Sequence, residues 1–301
     1  MVPSLDPQGP VAVEMARLWW LMVALGGAVL VLYTALLLRG LWRGEAGRAS
    51  TRSWLVGGGL VMPLVVIAVV LSFTLAAMAR LANEPSEGEL IIEVDGHQFW
   101  WEVRYPDLGV TTANEIHLPA DRPILLRVRS VDVIHSFWIP SLAGKIDLLP
   151  DKTNTMSFSA SETGTYRGVC AEFCGLQHAK MRLTASVTSE QDFGDWASLQ
   201  AEPATEPTAE AAARGQEIFL SAECPDCHTI RGTAADGHTG PELTHLASRS
   251  TLAAGTIPNS TEHLTRWVRD PQEIKEGVEM EAAELSEEDL ADLISYLESL
   301  Q

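Results

Sequence analysis

Cys170-Ala-Glu-Phe-Cys174-Gly-Leu-Gln-His178-Ala-Lys-Met181 places two thiols, an imidazole and a thioether within twelve residues. Thiolate, thioether and imidazole donors favour copper over hard cations. A blue-copper centre uses one thiolate, whereas two thiolates and a thioether let a pair of copper ions share bridging sulfur. A second imidazole is needed for the second ion. His135, in Val133-Ile-His-Ser-Phe-Trp-Ile-Pro140, follows one strand signal and precedes a Pro-bounded turn. His97 and His117 compete for the role, each also readable as an ordinary loop or strand histidine.

The surroundings of this string set the fold. From about Glu89 to Val187 the chain has a period of two, in Leu90–Val94, Ile124–Val128 and Met181–Val187. Asp95-Gly96, Tyr105-Pro106 and Ser161-Glu-Thr-Gly164 read as turns between such runs. About 100 residues of this kind predict an all-β sandwich or barrel, closed by a short helix near Glu190 to Leu199.

Downstream, residues 201–213 are rich in Ala, Pro, Thr and Glu and carry no large apolar side chain. They read as a linker, which would tether a mobile domain at high effective concentration. Beyond it, Leu290, Leu293, Ile294, Leu297 and Leu300 recur at helical spacing, with Ser286 placed as the N-cap. Cys224-Pro-Asp-Cys227-His228 is the C-x-x-C-H pattern, in which both thiols bond the haem vinyl groups and the histidine ligates iron. A zinc site would need a second ligand pair, and no cysteine follows. A redox dithiol would sit in a βαβ pattern, which is absent. Met280, the only methionine after the linker, lies in a polar loop suited to the sixth ligand. His238, His245 and His263 are the alternatives.

Two apolar runs, about 18–38 and 54–78, are each long enough to cross a bilayer. Arg39, Arg43, Arg48 and Arg52 against a single Glu45 put the intervening loop in the cytoplasm, with both termini and the soluble domains outside. From residue 81 onward, 37 acidic side chains face 15 basic ones. That excess excludes nucleic acid as a partner and suits a basic protein.

Gly96-His-Gln-Phe-Trp-Trp-Glu102, His135-Ser-Phe-Trp-Ile-Pro-Ser141 and the Cys170–Met181 string together resemble the signatures of cytochrome c oxidase subunit II. Residues 210–301 resemble small class I cytochromes c, so the chain as a whole resembles the caa3-type subunit. The resemblance implies a multidomain chain. Residues 1–84 would hold the N-terminal segment and a two-helix transmembrane hairpin, 85–200 an all-β cupredoxin-like sandwich, 201–213 the linker, and 214–301 an all-α class I cytochrome c domain. It implies a binuclear copper centre (CuA) held by His135, Cys170, Cys174, His178, Met181 and the Glu172 carbonyl, with the Glu172 carboxylate reaching magnesium at the boundary with subunit I.

Haem c would be bound through Cys224 and Cys227, with His228 and Met280 axial and the Pro241 carbonyl accepting from His228. Phe99 stands where many relatives carry the tryptophan through which electrons enter, and Trp100 and Trp101 follow it. No carboxylate lies at the start of the second span, where many relatives place a proton-conducting Glu, and Glu14 is the nearest acid.

The implied function is the electron-accepting subunit of a bacterial plasma-membrane oxidase. Electrons would come from a soluble cytochrome c or a bc1 complex and pass to subunit I, for oxygen reduction coupled to proton pumping, with subunit III as a further partner. A free-standing electron carrier of the membrane would need only one span, and a quinol oxidase subunit would lack the copper cysteines.

Overall fold

The computed structural model describes residues 5–43, 51–81 and 88–301, in two compact units. Residues 44–50 of the arginine-rich loop between the apolar runs, Arg48 among them, lie outside the described residues.

The first unit, residues 11–84, is a helical hairpin. Helix α1 spans Pro10–Arg43 and a second helix, α2, spans Thr51–Leu81, both longer than the apolar runs that predict them. The turn Gly57–Val61 of α2 is π-helical, where three successive glycines place no side chain against the helix surface. Leu30, Tyr33, Phe73 and Met78 are exposed along the two helices. Such faces suit lipid or a partner helix rather than water. Glu14 is the exception, a carboxylate paired with Arg17 and, 2.8 Å away, with Arg80 near the end of α2. It ties the two helices of the hairpin together through these ion pairs.

The second unit combines residues 1–10 with 85–301. Its first half is a sandwich of two five-stranded sheets, ordered β3-β2-β1-β5-β8 and β4-β10-β9-β6-β7. The strands are β1 Leu90–His97, β2 Trp100–Tyr105, β3 Val110–Ala113, β4 Glu115–Pro119 and β5 Ile124–Ser130. They continue as β6 His135–Trp138, β7 Ile146–Leu148, β8 Asn154–Phe158, β9 Gly164–Cys170 and β10 Arg182–Thr188. Pairs β1/β5 and β4/β10 are parallel and the other pairs antiparallel. Alternate residues point inward, as the period of two requires. Ile92, Val94, Trp101, Val103, Leu126 and Val128 are fully buried.

Asp95-Gly96 is not the turn that its composition predicts. Both lie within β1, paired to Glu102 and Trp101 of β2. Asp95 is tolerated there because Arg104 and Arg129 reach it at 2.9 and 2.8 Å. Gly96 is required because a Cβ would come within 2.9 Å of the His135 ring. Ahead of the hairpin, Gln8 hydrogen-bonds the sandwich on both sides, donating to Ser141 O (2.6 Å) and accepting from Ser161 N (3.0 Å). The chain therefore leaves the sandwich into α1.

Helix α3 (Glu190–Ala201) closes the sandwich, with Ser189 as N-cap. A helical domain follows, built on α4 (Glu210–Ser221), α5 (Thr261–Arg269) and α6 (Glu287–Ser299). Helix α6 starts where the sequence places it, with Ser286 accepting from Asp289 N. Helices α4 and α6 cross at Gly215, where any Cβ would collide with the Asp292 carbonyl, and Phe219 meets Tyr296 edge-on at 5.9 Å.

The segment between α3 and α4 does not have the character of a free tether. Ala204 N donates to Arg231 O (2.9 Å), Arg231 donates to Ala201 O (2.8 Å), and Glu202 O lies 3.0 Å from His245 Nε2. Lack of large apolar residues signals a linker only when the backbone polar groups are left to solvent. Here the next domain takes them up.

Candidate metal and haem centres

Six donor groups converge at one end of the sandwich. His135 opens β6 and Cys170 ends β9, two strands paired through Phe137 and Cys170. The loop 171–181 leaves β9 and returns to β10, pinned at its base by Cys170 N to Met181 O (3.0 Å) and Ala171 N to Ser136 O (2.8 Å).

The two thiols are free and buried, with their sulfurs 3.9 Å apart. Each is flanked by one imidazole: His135 Nδ1 lies 4.0 Å from Cys170 Sγ and His178 Nδ1 lies 3.7 Å from Cys174 Sγ. Each also has one weaker donor, Glu172 O at 3.1 Å from Cys170 and Met181 Sδ at 3.8 Å from Cys174. His135, Cys170 and Cys174 form a group compact enough to hold a metal ion. This donor set, with two shared sulfurs between two imidazoles, fits a pair of soft cations.

Electrostatics point the same way. The hydrogen bond between the thiols pulls Cys170 far below the ordinary thiol range and pushes Cys174 above it. Asp132 Oδ1 lies 2.7 Å from His135 Nε2, which orients Nδ1 toward the sulfurs. The competing histidines are elsewhere. His97 stacks on Trp100 at 4.1 Å, and burial lowers its pKa to about 4. His117 stacks on Trp196 at 4.0 Å.

The second centre is a cavity of about 830 Å³ in the helical domain. Cys224, Cys227 and His228 line it, and so does Met280. His228 Nδ1 lies 2.7 Å from Pro241 O, which fixes the tautomer and leaves Nε2 as the ligating atom. Gly240 is needed beneath the ring, since a Cβ there would lie 2.7 Å from His228 Cε1. His238, His245 and His263 are not among the lining residues. The apolar walls, paired cysteines and oriented imidazole fit a covalently attached haem.

Arg249, which pattern reading missed, also lines this cavity. It is buried and its Nε has no partner; Glu242 is 3.8 Å away and also close to Arg231, and Glu115 is a second carboxylate near enough to act on it. Of these groups, the Arg249 guanidinium is the one that lines the cavity wall.

The three aromatic candidates for electron transfer part company. Phe99 and Trp100 line the haem cavity. Trp101 is fully buried in the sandwich, edge-on to His135 and Phe137, and does not line it. Strand alternation separates neighbours in this way.

Comparison with known proteins places the chain in a family. Residues 109–188 match the family model "Cytochrome C oxidase subunit II, periplasmic domain", and residues 212–301 match "Cytochrome c". Cytochrome c oxidase subunit 2 of Alkalihalophilus pseudofirmus is 34% identical over 80% of this chain and 71% of that protein. The subunit of the same name from Bacillus subtilis is 31% identical over 85% of this chain and 76% of its own length. The periplasmic domain of subunit II from Bradyrhizobium japonicum, a crystal structure, is 30% identical and aligns with 38% of this chain and 95% of its own, at a TM-score of 0.37. With two helices long and apolar enough to span a membrane, a copper-type sandwich and a fused haem domain, the chain belongs to the cytochrome c oxidase subunit 2 family and is an electron-carrying component of a haem-copper oxidase.

Proposed function

We propose that His135, Cys170, Cys174, His178, Met181 and the Glu172 carbonyl hold a binuclear CuA centre, and that Cys224, Cys227, His228 and Met280 hold haem c. Loaded in this way, the chain would pass single electrons from haem to copper and on to subunit I. The observation that carries the reading is the pairing of each thiol with one imidazole and one weak donor around sulfurs 3.9 Å apart.

The chain's own residues do the positioning. Asp132 orients His135 from behind, and the sandwich core around Trp101 and Phe137 keeps water from that side of the ligands. Phe99 and Trp100 line the haem cavity, Phe99 also packs against Gly175 of the copper-ligand loop, and the two would form the point where electrons enter the sandwich. Val131, Val133, Ile134, Phe173 and Leu176 are exposed on the ligand-bearing loops. An apolar patch of this kind suits the surface of the catalytic subunit. The exposed Glu172 carboxylate would reach a magnesium ion at that boundary.

Gln8, just before α1, is bonded to the sandwich, and β1 begins shortly after α2. The hairpin thus lies in the chain between two segments of the soluble unit, and with the arginine-rich loop on the cytoplasmic side the termini and soluble domains would lie on the outer face of the bacterial plasma membrane. The acidic exterior favours a basic donor, a soluble cytochrome c or the bc1 complex, and subunit III completes the assembly.

Optical and EPR spectra of the membrane-extracted chain test this reading. Haem c bands and a mixed-valence dicopper signal are expected, with Cys174→Ser losing the second and keeping the first. Zinc in place of copper in the purified chain would refute it.

A further inference from the structure

One amine is buried between the two domains for no reason that the family assignment supplies. Lys275 is 2% exposed, five residues before Met280, and lines the haem cavity. Its Nζ donates to Phe99 O at 2.7 Å and to Ala253 O at 3.3 Å. Both acceptors are neutral carbonyls. A buried ammonium is expensive unless its donors are well placed, and burial lowers this group's pKa to about 7.

The residues on either side of Lys275 are held from the opposite direction. Lys180 Nζ donates to Ile274 O at 2.7 Å, and Gln177 Nε2 donates to Glu276 O at 2.7 Å. Gln177 and Lys180 flank His178, so the loop that carries copper donors is stapled to the loop that leads to Met280.

The contact continues into the copper site. Phe99 is 5% exposed, and its ring lies 3.2 Å from where a Cβ on Gly175 would sit. Gln98 Nε2 donates to the carbonyl of Cys174. Phe99 therefore touches Lys275 through its carbonyl and the thiol-bearing loop through its ring.

We propose that Lys275 is a positioning residue for haem-to-copper electron transfer: through the Phe99 carbonyl it fixes the Gln98–Trp100 turn against both ligand loops. This rests on the CuA and haem c assignment above. A side chain that sets separation and packing between two centres acts on rate through geometry, and misplacement by about 1 Å at a reacting site can cost roughly 100-fold. The seam also explains why the 202–209 segment is packed instead of free, since a domain held this way has no need to undock between electrons.

The test uses the full-length chain purified with haem and copper bound. Two readouts are taken: the haem-to-copper transfer rate after flash photoreduction of the haem, and amide hydrogen exchange over residues 97–101 and 176–181. For Lys275→Met, transfer slower by about tenfold or more and faster exchange at 97–101 are expected, with haem bands and dicopper signal at wild-type intensity. Lys180→Met should loosen 176–181 and slow transfer less.

Wild-type transfer in Lys275→Met overturns the proposal. So does slowed transfer with unchanged exchange, which would make the lysine electrostatic rather than positional. If Lys275→Met does not accumulate, Lys180→Met and Gln177→Ala decide, and unchanged transfer in both overturns it. Absence of the dicopper signal in the wild-type chain defeats the cofactor assignment instead, and the exchange arm still reads the seam.

Discussion

Asp132 and His135 face each other at 2.7 Å, carboxylate to Nε2, while the opposite ring nitrogen of His135 looks at Cys170. A ligating histidine whose far nitrogen is held by a carboxylate has its ring angle and basicity set before metal arrives. Replacing Asp132 with Ala should weaken copper binding by about 10–100-fold. Competition with a chelator of known affinity measures this. Unchanged affinity would show that the sandwich alone orients the ring.

Arg249 gives a prediction with a definite sign. A buried cation lining the haem cavity favours the more negative, reduced form of a bound haem. Arg249→Met should therefore lower the midpoint potential, by a roughly tenfold change in the redox equilibrium or about 59 mV for one electron. Spectroelectrochemistry at the haem α-band reads the shift, and a rise would place the guanidinium away from the porphyrin.

The seam between the domains should be acid-sensitive at Glu115. This carboxylate accepts from Ser250 N and Oγ of the helical domain, at 2.7 and 2.6 Å. Burial alone would raise its pKa, but the bonds from His117 and Ser250 outweigh it and hold the value below the usual 4.5. With the folded-state pKa depressed, its stabilisation is fully present above about pH 4.5 and is lost as pH falls through the lowered value. In differential scanning calorimetry the wild-type Tm should fall faster with acid than that of Glu115→Gln. Parallel curves would count against this linkage.

Neighbouring tryptophans should behave oppositely. Trp101→Ala empties part of the sandwich core and should cost about 3–5 kcal/mol of stability. Trp100→Leu, at a half-buried position on the cavity wall, should leave denaturant unfolding nearly unchanged while slowing transfer from haem to copper. Equal destabilisation by the two would mean that Trp100 is also a core residue.

The sequence makes the chemistry legible wherever ligands are close in the chain. Cys170 to Met181 and Cys224 to His228 are local strings, so the roles proposed for them can be read without a fold. His135 shows because a strand and a proline-bounded turn frame it. What stays hidden depends on meetings between distant segments. Lys275 and Phe99 are 176 residues apart, and nothing in either local pattern marks them as partners. The same holds for Arg249, whose place on the cavity wall beside Glu242 appears only in the fold.

Local composition also misleads in two places. Asp95-Gly96 reads as a turn because both residues disfavour strands, yet Arg104, Arg129 and the His135 ring reverse that preference. Residues 201–213 read as free chain because they lack large apolar side chains, yet Ala201 and residues 210–213 are helical, Ala204 and Ala212 pack on the helical core, and the backbone of 201–204 bonds to the next domain.

Because Gln98, Phe99 and Trp100 of the sandwich supply part of the cavity wall, the pocket has no finished form until the two domains meet. Biogenesis then acquires a sequence in time. A porphyrin bonded to Cys224 and Cys227 beforehand is simply roofed over as the halves come together, whereas a latecomer would have to prise them apart. Pulse-labelled cells should accordingly show peroxidase-active haem staining before the 202–209 stretch becomes resistant to protease.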